Sequence, residues 1–333
     1  MSYQVFRINN NTFERINEIT NIKSFSWSDS LDKIFTSFNF TTTEILECGD
    51  WIELRHREDN ILVLRGIIFT TRRSDRNFYT YSGYDIGVYF EKNMLNEQFR
   101  KNTTLGNAII RVCNDVQLSI GRLHSVVQNQ QILGFFRNKS GSDILKDVYK
   151  SAVNNGMEDV YCFDCKNGTV NFRSFIENNT FRGVIANIFQ INSFDFFREF
   201  EISHSIDELK NRVQIYPNKT ANKNTLPKMI TQLSNADSIN RYGLLNYIEE
   251  VKTDKKINYS DLAHKKLQEL NKVKENISLS ILGDYTLQKG TITNITNNIL
   301  NLDNSYRIDS TEHSIQGTTE NVKINITQFE LER

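Results

Sequence analysis

Two stretches of the chain share one alternation of apolar and polar positions. Lys23 to Phe40 reads K-S-F-S-W-S-D-S-L-D-K-I-F-T-S-F-N-F, and Arg198 to Ile215 reads R-E-F-E-I-S-H-S-I-D-E-L-K-N-R-V-Q-I. Aligned without a gap, they share Phe25 with Phe200, Ser28 with Ser203, Ser30 with Ser205 and Asp32 with Asp207. The remaining apolar positions correspond in kind: Trp27 with Ile202, Leu31 with Ile206, Ile34 with Leu209, Phe38 with Val213 and Phe40 with Ile215. Period-2 alternation on either side of a Ser/Asp-rich centre is the signature of two half-buried strands joined by a turn. Each stretch is therefore predicted to be a β-hairpin, with Phe25, Trp27, Ile34, Phe38, Phe40, Phe200, Ile202, Leu209, Val213 and Ile215 as repeat and core positions. Two such hairpins far apart in one chain predict a duplicated β module.

The rest of the pattern groups around these stretches. Tyr3–Ile8, Phe13–Ile19, Trp51–Leu54, Ile61–Thr71 and Phe78–Gly83 alternate or run apolar between turn signals such as Cys48-Gly49-Asp50 and Asp59-Asn60. Gly66 marks a point where a strand can bulge. So many short strands predict a small barrel or sandwich over residues 1–85, closure removing exposed edges. From residue 86 the period changes to helical. Thr104 caps a stripe of Leu105, Ala108, Ile109, Val112 and Cys113, and Ser142 with Asp143 is placed ahead of Ile144, Leu145, Val148 and Ala152, ending at Gly156. Asn167-Gly168 between Val160–Phe163 and Val170–Phe175 is a hairpin turn.

The expectation is thus mainly β with an α+β insert: two antiparallel β-barrels in one chain plus a small α/β inserted domain. The first barrel occupies residues 1–85, the insert 86–197, and the second barrel 198–333 with a helical insertion near 218–275. Inside that insertion Ser260 begins a helix with Leu262, Ala263, Leu267 and Leu270 inward. Ile277–Leu282, Thr291–Ile295, Ile299–Leu302, Tyr306–Ile308 and Val322–Phe329 are the closing strands. Their order, a Gly turn into a strand and then a run holding Tyr306-Arg307-Ile308, parallels Leu64-Arg65-Gly66 in the first module.

Composition refines this picture only modestly. The 333 residues are 38% hydrophobic and 24% charged, which suits a folded chain with sizeable cores. Lys plus Arg and Asp plus Glu both number 40, so no net field points to nucleic acid or an anionic membrane. The N-terminus lacks an apolar signal region and no apolar run approaches membrane-spanning length, so the expectation is synthesis in a cytosol without membrane insertion.

Candidate chemistry is sparse. Cys162-Phe163-Asp164-Cys165 has redox or half-zinc spacing, but it sits in a predicted hairpin where a three-residue offset points the side chains to opposite faces. Structural cysteines are expected. His56, His124, His204, His264 and His313 are scattered singly, and His204 occupies the place of Asp29, which marks that place as a tolerant surface position. No nucleophile elbow, P-loop or dinucleotide fingerprint occurs, and no carboxylate pair stands out, so no cofactor, metal or catalytic residue is assigned. The aromatics Phe194, Phe196 and Phe197 suit core or a subunit interface before a ligand patch.

Several of these residues together resemble a known family. S-F-S-W-S-D-S-L-D at 24–32, G-D-W-I-E-L at 49–54, L-R-G-I-I at 64–68, Y-x-x-x-D at 81–85 and S-I-D-E-L-K-N-R-V at 205–213 are similar to baseplate hub proteins of contractile phage tails and phage-tail-like bacteriocins. The resemblance is to the hub family of defective prophages in Gram-positive bacteria. It implies a non-enzymatic homotrimer in which each subunit carries two tube-type barrels. Three subunits then present six similar barrels to a hexameric tail tube protein, keep threefold symmetry for the central spike protein, and touch other baseplate proteins. Nucleic acid would meet such a ring only by passage through its lumen in a complete phage. The chain reaches Arg333 just past Leu331, so a hub without a fused hydrolase or effector is expected. Two other readings stay open: a receptor- or glycan-binding module of the same particle, using the aromatics near Phe194, and a cell-wall hydrolase.

Overall fold

The structure, a computed structural model, describes residues 2–73, 77–174, 197–218, 227–251, 258–283, 285–297, 302–317 and 319–329. Its residues divide into two compact units, one of Met1–Phe200 with Ser278–Arg333 and one of Glu201–Ile277.

In the first unit the opening strands are β1 (Tyr3–Ile8), β2 (Arg15–Ile19), β3 (Ser24–Ser30), β4 (Ser37–Thr42), β5 (Trp51–His56), β6 (Leu62–Arg73) and β7 (Tyr79–Tyr84). β3 and β4 form the predicted hairpin, with Phe25 opposite Phe40 and Trp27 opposite Phe38. Alternation puts Phe25, Trp27, Phe38 and Phe40 on the inner face, where they share one core with Tyr3, Ile52, Leu54, Leu64, Ile68 and Tyr81. Phe25 and Phe40 stack with ring centroids 5.5 Å apart. The Phe38 ring lies over two glycines: a Cβ on Gly66 or Gly83 would run into it, and one on Gly83 would also strike the Ile67 carbonyl. Gly66 therefore serves ring packing, and the irregularities of β6 fall on either side of it, between Leu62 and Leu64 against β5 and between Ile68 and Thr70 against β7.

The insert follows as α1 (Val88–Lys92), β8 (Met94–Thr104), α2 (Leu105–Asp115), β9 (Ile120–Leu123), β10 (Gln131–Ser140), α3 (Gly141–Asn154), β11 (Tyr161–Asp164) and β12 (Val170–Ser174). Thr104 caps α2 as predicted, accepting from Asn107 N. The cap of α3 is Ser140, which accepts from Asp143 N; it is not Ser142, which is buried. The inner faces of both helices close a core with Phe90, Phe99, Phe172 and, from the β3–β4 turn, Ile34. This last contact explains why the insert belongs to the same compact unit as the strands. The Asn167-Gly168 hairpin forms, β11 antiparallel to β12, with Gly168 at φ +85°.

The second stretch departs from its prediction. β13 (Phe197–Ser205) and β14 (Arg212–Pro217) are not a hairpin. β13 pairs with β17 (Lys274–Leu282), whereas β14 lies in a separate sheet. Alternation identifies a strand but not its partner, and here the partner of β13 comes only after residues 206–273. Consequently Phe200 is 54% exposed and Ile202 half-buried, not core.

The second unit contains that intervening segment. β14 is flanked by β15 (Thr231–Ser234), antiparallel, and β16 (Asn246–Val251), parallel, with α4 (Ala236–Tyr242) between them in the chain. Val213 and Ile215 pack there against Ala263 and Leu267 of α5 (Tyr259–Leu270). The predicted helix at Ser260 is thus present, capped by Asn258. Leu209 is buried within the same unit.

β17 is followed by β18 (Ile292–Asn297), β19 (Leu302–Gln316) and β20 (Thr319–Gln328). Residue 299 lies outside the described residues, and Tyr306–Ile308 is part of the long β19. With the correct partner for β13, the duplication is visible in the topology. The sheet runs β13-β17-β20-β19 and then β3-β4-β7-β6-β5-β1-β2, with β18 pairing β19. The order β3-β4-β7-β6-β5 is repeated by β13-β17-β20-β19-β18.

The correspondence extends to register. Ile67 opposes both Trp51 and Tyr84, and Arg307 opposes both Ile292 and Thr327. A bulge between Ile68 and Thr70 is matched by one between Ile308 and Ser310. Bulges mark fixed places in a fold, so a shared one is informative. The turn before β5 is repeated before β18. Gly49 N donates to Ile68 O (2.8 Å) and Ile68 N to Asp50 O (2.9 Å); Gly290 N donates to Ile308 O (2.7 Å) and Ile308 N to Thr291 O (2.8 Å). Both glycines have positive φ, +96° and +76°, which side chains rarely adopt.

Candidate functional site

The two β modules meet along β3 and the second half of β19, which run antiparallel from Ser24↔Gln316 to Ser30↔Ser310. The inner face of β3 carries Phe25, Trp27 and then Asp29. Trp27 stacks on His313 of β19 at 4.2 Å between ring centroids. His313 is fixed at both ring nitrogens, Nε2 against Leu287 O (2.9 Å) and Nδ1 against Glu320 (3.3 Å). Glu320 in turn accepts from the Tyr3 hydroxyl at 2.5 Å, so β1, β19 and β20 are tied through one part-buried chain of polar groups, to which β3 adds the Trp27 ring stack.

Asp29 is the centre of the site. It is buried, with Lys166 Nζ of the β11–β12 turn at 2.6 Å and Lys289 Nζ of the Gly290 turn at 3.0 Å. Lys289 is itself buried and also donates to Lys33 O (2.8 Å). Arg173 on β12 binds Asp164 (3.3 Å) and donates to Lys289 O (2.9 Å). One carboxylate thus joins the first module, the insert and the second module. Burial alone would raise the Asp29 carboxyl, but the two ammonium groups hold it well below the usual carboxylate range. Lys289, which burial would lower, is held above its ordinary value chiefly by Asp29. Main-chain bonds add to the clamp: Arg65 N donates to Lys166 O (2.7 Å), and the Arg65 side chain to Asn167 O (3.1 Å).

Asp85, the last residue of the Y-x-x-x-D motif, holds the same, turn end of the hairpin as Asp29. Its carboxylate accepts from Thr36 N (2.9 Å) and Gly87 N (2.8 Å), fixing the entry to β4 and to α1. Burial nevertheless raises it to about 7. Tyr81, four positions earlier, receives Leu46 N and donates to Glu44 O, both at 2.9 Å. The motif is therefore two anchors, one within β7 and one just past its end.

A cleft of about 670 Å³ opens beside the cluster, lined by Arg122, His124, Asp164, Lys166, Arg173 and Gln288. Its lysine and its Arg173–Asp164 pair are engaged in the ion pairs above. Among the described residues no group of His, Cys, Asp and Glu is placed to hold a metal. Cys162 and Cys165 are free, buried and in different apolar clusters, and burial pushes both thiols up. The arrangement ties the two β modules of the one sheet and the insert together.

Of the predicted positions, Phe25, Trp27, Phe38 and Phe40 lie together in the module core, Ile34 in the insert core, and Val213 and Ile215 in the core of the second unit. Phe200 is on the surface. Phe194 and Phe196 lie outside the described residues. Asp29 was the residue to find. Its counterpart His204 suggested an exposed place, but the continued alternation Phe25, Trp27, Asp29 already puts it on the inner face.

No curated protein matches the chain. Solved structures do, at low identity. The prophage MuSo2 43 kDa tail protein from Shewanella oneidensis has a TM-score of 0.67 at 12% identity, covering 98% of each chain. The tail protein from Neisseria meningitidis MC58 also has a TM-score of 0.67 at 12% identity, over 98% of this chain and 96% of that one. Prophage tail protein gp18 from Listeria monocytogenes EGD-e reaches 0.56 at 11% identity, over 99% and 96%. The fold is that of phage tail proteins of the hub-like kind. With residues 25–327 matched, a span that runs from β3 of the first module through the junction to β20 of the second, the chain belongs to the YQBQ-like family.

Proposed function

We propose that this protein is the structural baseplate hub of a contractile tail or tail-like bacteriocin. It acts as a homotrimer whose six β modules meet the hexameric tail tube while its threefold symmetry serves the spike. The observation that carries the reading is the repeat itself: one chain holds two modules with the same strand order, register, bulge and glycine turn. A closed ring needs complementary surfaces, and a doubled module lets a threefold ring present six similar faces. The Asp29 cluster supports the same reading, because a symmetry adapter requires the two modules of each chain at a fixed angle. The fold likeness to phage tail proteins agrees with it.

In this role the protein binds its own copies, tube protein, spike and other baseplate components, performs no catalysis and inserts no segment into a membrane. Among the described residues no helix is long and apolar enough to cross one. The test is native mass spectrometry with negative-stain imaging down the particle axis. A trimer showing six peripheral densities is expected, and a stable monomer would refute the reading.

A further inference from the structure

The cleft beside the Asp29 cluster has the chemistry of an anion site. It lies wholly within the first compact unit, between the insert and β6, and does not depend on the ring. Three elements bring cations to it: Arg122 comes from β9, Lys166 from the β11–β12 turn and Arg173 from β12. Asp164 is the one carboxylate among its described lining residues. Arg122 is placed by the close packing of β9 on β12. Its N–H donates to Asn171 Oδ1 (2.8 Å), and a Cβ on the preceding Gly121 would run into the Asn171 and Thr169 side chains. His124 stands on the same wall. Its Nδ1 accepts from Val126 N (3.1 Å), so the neutral ring carries its proton on Nε2 and is a further donor.

Charge is out of balance here. Lys166, Arg173 and Lys289 form one connected cluster with two carboxylates, Asp29 and Asp164. Asp85 is near Lys289 but turns one carboxylate oxygen to Thr36 N and the other to Gly87 N. The exposed Arg122 brings the excess to two positive charges. Cations held out of water are costly until a counter-charge reaches them. We propose that this cleft binds a small phosphomonoester, its phosphate held by Arg122, Lys166 and Arg173. A phosphomonoester carries a charge of about −1.5 to −2 at neutral pH, which matches the excess. Its tetrahedral array of oxygens accepts from several directions, as donors arriving from three elements require, whereas one guanidinium fork already satisfies a planar carboxylate. The cleft, about 670 Å³, has the volume of a small-molecule site and not that of a lone phosphate. Leu62 and Val63 of β6 give it an apolar wall for the organic remainder.

The test is titration calorimetry, with thermal melts, of the full chain against phenyl phosphate, inorganic phosphate and dimethyl phosphate at matched ionic strength. Phenyl phosphate should bind saturably and raise the Tm. Inorganic phosphate, which lacks the apolar contact, should bind more weakly. Dimethyl phosphate, a monoanion, should bind about tenfold more weakly or worse. Arg122→Gln, at an exposed position, should weaken phenyl phosphate by about tenfold or more while the ligand-free Tm stays unchanged. Arg122→Lys, which keeps the charge but not the fork, should fall between. A response no greater than that to sodium chloride overturns the site. Saturable binding indifferent to Arg122→Gln puts the ligand elsewhere and overturns it too. Inorganic phosphate binding as tightly as phenyl phosphate overturns the monoester assignment in favour of free phosphate, and dimethyl phosphate doing so overturns it in favour of a phosphodiester.

Discussion

Replacing Asp29 by asparagine should cost far more than an ordinary buried substitution. The change keeps the shape but leaves Lys289, which is buried, and Lys166 without their shared carboxylate at 3.0 and 2.6 Å. Removing one partner of a buried ion pair typically costs about 3–5 kcal/mol, because a charge remains in a place water cannot reach. Asp164 stays nearby, bound to Arg173, and offsets part of this, so we expect the lower end, about 3 kcal/mol. For a chain of 333 residues that corresponds to a fall in Tm on the order of 4 °C. Scanning calorimetry or circular dichroism melts would measure it. A second variant separates lost charge balance from general damage: Asp29→Asn with Lys289→Met removes the orphaned cation and should recover about half of the loss or more. A loss under about 1 kcal/mol for Asp29→Asn, or a double variant as unstable as strict additivity requires, would refute the clamp as described.

The pH dependence has two opposed parts. Asp29 is held low in the folded state, so its stabilisation is complete above the unfolded carboxylate range and is lost as pH falls toward the folded value. Asp85 is raised to about 7, so between the unfolded value near 3.8 and pH 7 the folded state binds the extra proton and stability falls with rising pH, by on the order of 4 kcal/mol in all. Denaturant melts across this window should lose that slope in Asp85→Asn and keep it in Asp29→Asn; an identical slope in all three proteins would contradict the assignment. Gly83→Ala should destabilise by about 2–3 kcal/mol, with no rescue from Phe38→Leu, because the added Cβ meets the Ile67 carbonyl as well as the ring; full rescue in urea melts would show that only the ring was in the way. Alkylation of the native protein should leave Cys113, Cys162 and Cys165 unmodified until unfolding, since all three are buried and Cys113 is raised to about 12. Mass spectrometry reads this directly, and fast labelling of any of the three would count against the packing described. Replacing residues 206–273 by the short turn 31–36 should leave the remaining chain folding with a cooperative thermal transition, as the repeat places that whole segment inside one hairpin; loss of cooperativity would argue that the second unit is integral to the sheet.

Much of this was legible in the pattern of residues, and what was not has a physical reason. Phe25, Trp27, Phe38 and Phe40 alternate within a short hairpin, and local alternation defines both strands and their pairing. The Thr104 cap, the Asn167-Gly168 turn and the α5 stripe are likewise local signals. The partner of β13 is not local. Its own alternation ends at Ser205, and the nearest later strand pattern, Arg212–Pro217, belongs to another sheet. The duplication was therefore real while its second hairpin was misassigned: Phe200 and Ile202 align with Phe25 and Trp27, but Val213 and Ile215 do not hold the places of Phe38 and Phe40. The ion cluster was hidden for a related reason. Asp29, Lys166, Arg173 and Lys289 come from four separate turns and strands, so nothing in their spacing announces that they converge. Lys289 in particular sits in a glycine turn, where an exposed side chain is the ordinary expectation, and is buried because the first module and the insert lie against it.

The central claim is that one chain contributes two equivalent modules to a closed ring. An electron-microscopy class average of the purified oligomer viewed down its axis tests it most directly. The account predicts three chains and six similar peripheral densities around a central opening. A monomer, or a ring whose count of densities equals its count of chains, would contradict it.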